Sequence, residues 1–178
     1  MTKKATEEWI TWVDRDNRVL GQVTRRQMRE QGLAHRAVYI LLFNQQGELC
    51  AHKRTLNKDF RPGWYELTAG GVVAANEDWL VAAGRELAEE LGAYPSQLCD
   101  HGLFFDEGDG YQVWGRVYSC QWQGELSLQV EEVAEAFYLP PGQAALLDPV
   151  TETSRCAFLH WQQHQQGQWL PNPACASV

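Results

Sequence analysis

Residues 71–93 read GVVAANEDWLVAAGRELAEELGA, and the interpretation of this stretch decides that of the whole chain. Residues 78–91 have helical periodicity, and Gly92 is a natural stop after Leu91. With Glu86 at the origin of a helical wheel and about 100° per residue, Glu89 and Glu90 fall near 300° and 40°. Leu80, Gly84, Leu87 and Leu91 gather between about 100° and 160°. One stripe therefore reads as core, and the stripe beside it is a carboxylate cluster. Arg85 precedes Glu89 by four residues and can pair with it. Carboxylates this close repel unless something neutralises them, and hard cations such as Mg²⁺ seek oxygen ligands grouped in this way. A solvated acidic helix face would show the same pattern, so the helix alone does not decide between the two.

The residues around the helix bear on the choice through a resemblance. Gly71 lies six residues before Glu77, Glu77 lies eight before Arg85, and Arg85 opens the run Arg85-Glu86-Leu87-Ala88-Glu89-Glu90-Leu91-Gly92-Ala93. This resembles the Nudix box, the signature of the Nudix hydrolase superfamily, and only Ala93, where a larger aliphatic is usual, departs softly from it. The resemblance implies an α/β fold, an α/β/α sandwich with a mixed sheet. It also implies Mg²⁺- or Mn²⁺-dependent cleavage of a diphosphate linkage in a nucleoside diphosphate joined to another group. By position in the box, Glu86 and Glu90 would be the main metal ligands and Glu89 a third ligand or the base for the attacking water. Arg85 would hold the carboxylates in place, Glu77 would buttress Arg85, and the Gly71 backbone would approach the metal.

Upstream of the box, a narrower likeness appears. Gly21, Thr24-Arg25-Arg26, residues 32–37, Leu41-Leu42-Phe43-Asn44, Gly47-Glu48-Leu49, Lys53-Arg54 and Pro62-Gly63 are similar in order and spacing to the isopentenyl-diphosphate isomerase-like members. The isomerase chemistry itself is missing: its cysteine position holds Gly70 and a metal-binding histidine position holds Val72. A hydrolase on an isomerase-like scaffold is the reading that results. An isomerase and a catalytically silent diphosphate-binding module are the alternatives.

Other candidates are weighed by their surroundings. A polyphosphate needs cations away from the metal, and Lys53, Arg54, Lys58 and Arg61, with Arg36, are the candidates. His35 reads as structural in preference to metal-binding. His160 and His164 share a helix face, but with glutamines around them they read as a polar surface. Glu131, Glu132 and Glu135 read first as a solvated turn and second as a source of the base. Tyr111 reads as a strand residue.

The coarse secondary structure surrounds the box with strands. Residues 9–13 and 19–23 read as a hairpin and residues 25–31 as a short helix capped by Thr24 and stopped by Gly32. Residues 37–43 and 48–54 form a second hairpin, and residues 65–69 a short strand ending at Gly70-Gly71. Residues 98–106 and 111–122 pair, 134–139 form a strand, 151–166 a terminal helix, and 171–178 a frayed tail. One domain over 1–178 follows, with its core in residues 36–167.

Composition sets the outer limits. The chain has 178 residues and a formal net charge of −8, so it lacks the basic footprint that duplex nucleic acid or anionic membranes require. No apolar run approaches the ~20 residues of a bilayer span. Five cysteines with no CxxC, and no signal-like N-terminus, point to a reducing, cytoplasmic setting. A small-molecule diphosphate is the expected partner, and a homodimer is compatible with the family. The charge is segregated: residues 1–61 hold 12 of the 15 basic residues, and residues 62–178 hold 16 of the 23 acids. That split suggests metal on an acidic side and substrate phosphates between two oppositely charged walls.

Overall fold

The computed structural model describes residues 7–165 and the backbone of 168–171. Its elements are β1 (Trp9–Val13), β2 (Val19–Thr24), α1 (Arg25–Gln31), β3 (Ala34–Phe43), β4 (Leu49–Arg54), β5 (Tyr65–Glu66) and β6 (Ala69–Val72). They continue with α2 (Trp79–Leu91), β7 (Gln97–Gly108), β8 (Tyr111–Gln121), β9 (Val133–Leu139), α3 (Pro141–Ala144), α4 (Glu152–Gln163) and β10 (Gln168–Pro171).

β3 is the central strand. It runs parallel to β8 over its full length, from Ala34↔Gln112 to Phe43↔Gln121, and antiparallel to β6 from Ala37↔Val72 to Ile40↔Ala69. The sheet is therefore mixed. A strand buried on both faces needs apolar residues throughout, which explains the run Ala37–Phe43. Val38, Ile40 and Leu42 pack with Ala82, Ala83, Leu87 and Leu91 of α2. Leu41 belongs to the opposite cluster, with Ala157 and Phe158 of α4. The expected α/β/α layering follows from this alternation.

Several expected elements change at their boundaries. β3 and β4 pair only at Phe43↔Leu49; β4 then leaves to pair with β9 and β5. The expected strand at 65–69 is two: β5 pairs with β4, and β6 runs on through Gly70 and Gly71 against β3. Between them, the Leu67 N–H donates to Ser154 Oγ at 2.7 Å. α4 ends at Gln163 rather than 166, and Gln168–Pro171 pairs with Gln97–Asp100 of β7, so Pro171, expected to open the tail, ends a strand. The rest of the expected tail, 172–178, lies outside the described residues. No helix of the described residues is long and apolar enough to cross a membrane.

α1 has the expected ends. Thr24 accepts from the Gln27 N–H at 3.1 Å, and Gln27 Oε1 accepts from the Thr24 N–H at 2.9 Å, a capping box. α2 is capped by Asp78, which accepts from the Leu80 N–H at 2.8 Å.

Candidate active site

The carboxylate face of α2 looks onto the two glycines of β6. Gly70 donates its N–H to Glu90 Oε2 at 3.0 Å. A Cβ on Gly71 would lie 2.5 Å from Glu86 Oε1, so the missing side chain leaves the space that the carboxylate fills. At Gly70 a Cβ would lie 2.0 Å from the Val38 carbonyl oxygen, so this position admits only glycine.

Arg85 ties this face together. Its Nε donates to Glu77 Oε1 at 2.8 Å and its Nη2 to Glu77 Oε2 at 3.0 Å. Nη1 donates to Glu86 at 2.7 Å and to the more exposed Glu89 at 3.3 Å, and Nη2 also reaches the Val72 carbonyl at 3.3 Å. Glu77 accepts a further bond from the Ala74 N–H at 2.9 Å, which fixes the loop entering α2.

Burial separates these carboxyls electrostatically. It raises Glu86 above the usual carboxylate range, and the Arg85 charge only partly offsets this. Glu90 is 4% exposed and is raised further, by burial and then by the charges of Glu66 and Glu86. Burial also acts to raise Glu77, but the bonds from Arg85 and the Ala74 N–H outweigh it and hold Glu77 below the usual range. Deprotonating buried, mutually repelling carboxyls is costly in the absence of a cation, and a divalent cation is what such a donor set suits.

Two residues the sequence does not single out complete the interior of the site. His52 on β4 faces Glu66 on β5, with Nε2 3.0 Å from Glu66 Oε2, and Arg54 Nη1 donates to Glu66 Oε1 at 2.9 Å. Burial acts to raise Glu66, but the His52 bond and charge, with those of Arg54, hold it below its ordinary value. One atom from each of His52, Glu66 and Glu90 lies within 4.8 Å of the others.

Glu66, Gly70, Gly71, Glu86, Glu89 and Glu90 floor a cleft of about 690 Å³ that reaches from the box to α1 and the β7–β8 turn, with His52 behind Glu66 and off the cleft lining. Of the expected phosphate-binding cations, Arg54 and Lys58 line it. Arg36, Lys53 and Arg61 do not. Arg36 is held by Asn17, through its side-chain oxygen at 2.8 Å and its carbonyl at 3.0 Å, and lies over the Trp79 ring. Lys53 sits over Tyr65, on the side of β4 opposite Arg54, and Arg61 is paired with Glu152 between the Phe60 and Trp64 rings. Their places on the cleft wall are taken by Arg25 and Arg29, one turn apart on α1. Thus the basic wall comes from the N-terminal third and the acidic floor from the box, as the charge segregation suggests.

The remaining candidates divide in the same way. His35 lines the cleft and is 8% exposed, its Nδ1 3.1 Å from the Leu33 carbonyl; burial pushes it down to about 4, so the ring is neutral. Tyr111 lines the outer cleft, donates to Asp106 at 2.9 Å and meets Phe60 edge-on. Glu132 reaches the cleft and pairs with Lys58 at 2.5 Å, whereas Glu131 and Glu135 do not line it. His160 and His164 stack on each other away from the cleft, and His160 Nε2 lies 2.8 Å from the His101 carbonyl.

Comparison with known proteins agrees with the geometry. The model of the NUDIX domain family matches residues 33–162. The chain is 41% identical over 160 residues to the uncharacterized Nudix hydrolase YfcD of Escherichia coli strain K12, covering 89% of each chain. It is 46% identical over 134 residues to the uncharacterized Nudix hydrolase PA4841 of Pseudomonas aeruginosa, covering 75% of this chain and 79% of the relative. Among solved structures, DR0079 of Deinococcus radiodurans superposes with a TM-score of 0.70 at 21% identity, over 87% of this chain and 98% of that one. The NUDIX domain of Shewanella oneidensis NrtR, in complex with ADP ribose, gives 0.60 at 16% identity, over 73% and 87%. Family match, fold and box carboxylates agree: the chain belongs to the NUDIX family and is a Nudix-type hydrolase.

Proposed function

We propose that this hydrolase cleaves a diphosphate linkage in a nucleoside diphosphate joined to another group, by attack of water in the presence of Mg²⁺ or Mn²⁺. One observation carries the reading: the mostly buried Glu86 and the buried Glu90 floor a cleft whose other wall presents Arg25, Arg29, Arg54 and Lys58. The absence of a side chain at Gly71 lets the Glu86 carboxylate lie against its backbone, an arrangement that suits a cation held by Glu86 and Glu90 with the Gly71 backbone, and with Glu89 as a third ligand or the base. Bound there, a divalent ion would neutralise phosphoryl oxygens and make water a nucleophile near neutral pH.

The protein's own groups have separable tasks. Arg85 positions Glu86 through its anchorage on Glu77. Glu89, the most exposed of the three helix glutamates, is the one able to accept a proton from a water in the cleft. Arg54 and Lys58 face the phosphates near the floor, and Arg25 and Arg29 face the group beyond them. ADP ribose, held by a fold neighbour, belongs to the same chemical class of substrate. An isomerase is disfavoured because no cysteine fits at Gly70, and a silent module because every box carboxylate is present.

The test is product analysis over a panel of nucleoside diphosphate compounds with Mg²⁺ in ¹⁸O-water. One phosphate product should carry the label, and Glu90→Gln should lower kcat by about 100-fold or more with the fold retained. An inert wild type across the panel, or activity indifferent to Glu90→Gln, overturns the reading.

A further inference from the structure

The His52–Glu66–Glu90 cluster lies beneath the box on the sheet side, and the functional reading above uses only its Glu90. Its three ligating atoms lie within 4.8 Å of one another. Ligands about 2.0–2.2 Å from a divalent ion sit up to about 4.4 Å apart, so the cluster needs to contract by only a few tenths of an ångström. His52 is 1% exposed, and its Nδ1 is buried with no hydrogen-bond partner among the described residues, so the Nε2 contact with Glu66 is the ring's polar tie. Each carboxylate is oriented by protein donors: Glu66 by Arg54, itself braced on the Phe60 carbonyl at 3.0 Å, and by the Thr151 hydroxyl at 3.5 Å, and Glu90 by the Gly70 N–H. Donors behind a metal ligand orient it in this way.

We propose that His52, Glu66 and Glu90 form a second divalent-cation site, which shares Glu90 with the box and selects a transition-metal ion such as Mn²⁺ or Co²⁺ over Mg²⁺. The selectivity comes from the imidazole. Mg²⁺ favours oxygen and water, whereas the first-row transition ions accept nitrogen readily. Glu90 and the mostly buried Glu66, this close together, also repel one another, and a divalent ion between them would offset that repulsion. The proposal rests on the reading that Glu90 serves a cation at the box.

The full-length protein, stripped of metal, is titrated with Co²⁺ and separately with Mg²⁺ by calorimetry, and the Co²⁺ form is followed by proton NMR. The expected result is two equivalents of Co²⁺ but one of Mg²⁺, with a hyperfine-shifted, exchangeable imidazole N–H. His52→Gln should lose one Co²⁺ equivalent and that signal while keeping its Mg²⁺ equivalent. A single Co²⁺ equivalent, unchanged in His52→Gln and lost in Glu86→Gln, overturns the second site and leaves the box reading standing. No bound ion in the wild type overturns both. Should His52→Gln fail to fold, the wild-type imidazole signal decides: its absence at saturating Co²⁺ overturns the proposal.

Discussion

Arg85 and Glu77 form a two-pronged ion pair across the loop that enters α2, with Nε to Oε1 at 2.8 Å and Nη2 to Oε2 at 3.0 Å. The remaining nitrogen of the same planar group reaches Glu86 at 2.7 Å. Lysine is a point charge and cannot serve both partners in fixed directions. Arg85→Lys should therefore lower kcat about 10- to 100-fold with little change in KM, and cost about 1–2 kcal/mol of stability. Michaelis kinetics and thermal unfolding check it; an unchanged kcat removes Arg85 from the positioning role.

The two glycines of β6 should fail differently. Gly71→Ala meets the end of the Glu86 side chain, which can swing aside, so the fold should lose about 1 kcal/mol or less while Mg²⁺ affinity falls at least about tenfold. Gly70→Ala meets the Val38 carbonyl of the central strand, which cannot move without opening the β3–β6 ladder. It should cost about 3 kcal/mol or more. Unfolding curves and metal titrations of the pair separate the two; equal stability losses would contradict the geometry.

Cleft cations should separate from the others in KM. Lys58→Ala and Arg29→Ala should each raise KM about 5- to 50-fold, the loss of a charge-assisted phosphate contact. Arg36→Ala should leave KM unchanged and cost about 1–2 kcal/mol, because its bonds go to Asn17 and its face to Trp79. A raised KM in the Arg36 variant would return that residue to the substrate.

His35 sets a pH dependence. Its folded-state value of about 4 lies below that of an unfolded histidine, so the unfolded chain binds the extra proton first as pH falls. Its contribution is complete above about pH 6.5 and is lost between there and about pH 4, on the order of 3 kcal/mol in all. Chemical denaturation at pH 7 and pH 4 should show a larger fall for the wild type than for His35→Gln by about that amount. Equal falls would mean that the ring is not held neutral.

What the chain discloses before folding depends on how local each relationship is. Helix α2, its caps and its carboxylate stripe rest on residues a few positions apart, and 3.6-residue periodicity reports these directly. The His52–Glu66 contact joins two strands, and the second is only two residues long, too short to show alternation. No spacing rule announces it. Lys53 and Arg54 could have been separated in advance, since neighbours on a strand face opposite sides and only one can meet a given cleft. Arg25 and Arg29 were legible as one face of a short helix, but that helix reaches the cleft only through the placement of β1 and β2 beside β3. β10 escaped notice because its pairing with β7 spans about 70 residues of chain.

The basic wall of the cleft has a consequence for turnover. Arg25 is paired with Glu8, Arg29 with Asp59, Arg54 with Glu66 and Lys58 with Glu132. On the proposed function, an arriving polyphosphate would meet cations that already have carboxylate companions, and docking would be an exchange of anions rather than the filling of vacant positive charge. Those same carboxylates stand ready to reclaim the arginines and the lysine once the anhydride is split. The cleft would then carry its own competitor for the product, which would limit how long a severed phosphate could linger.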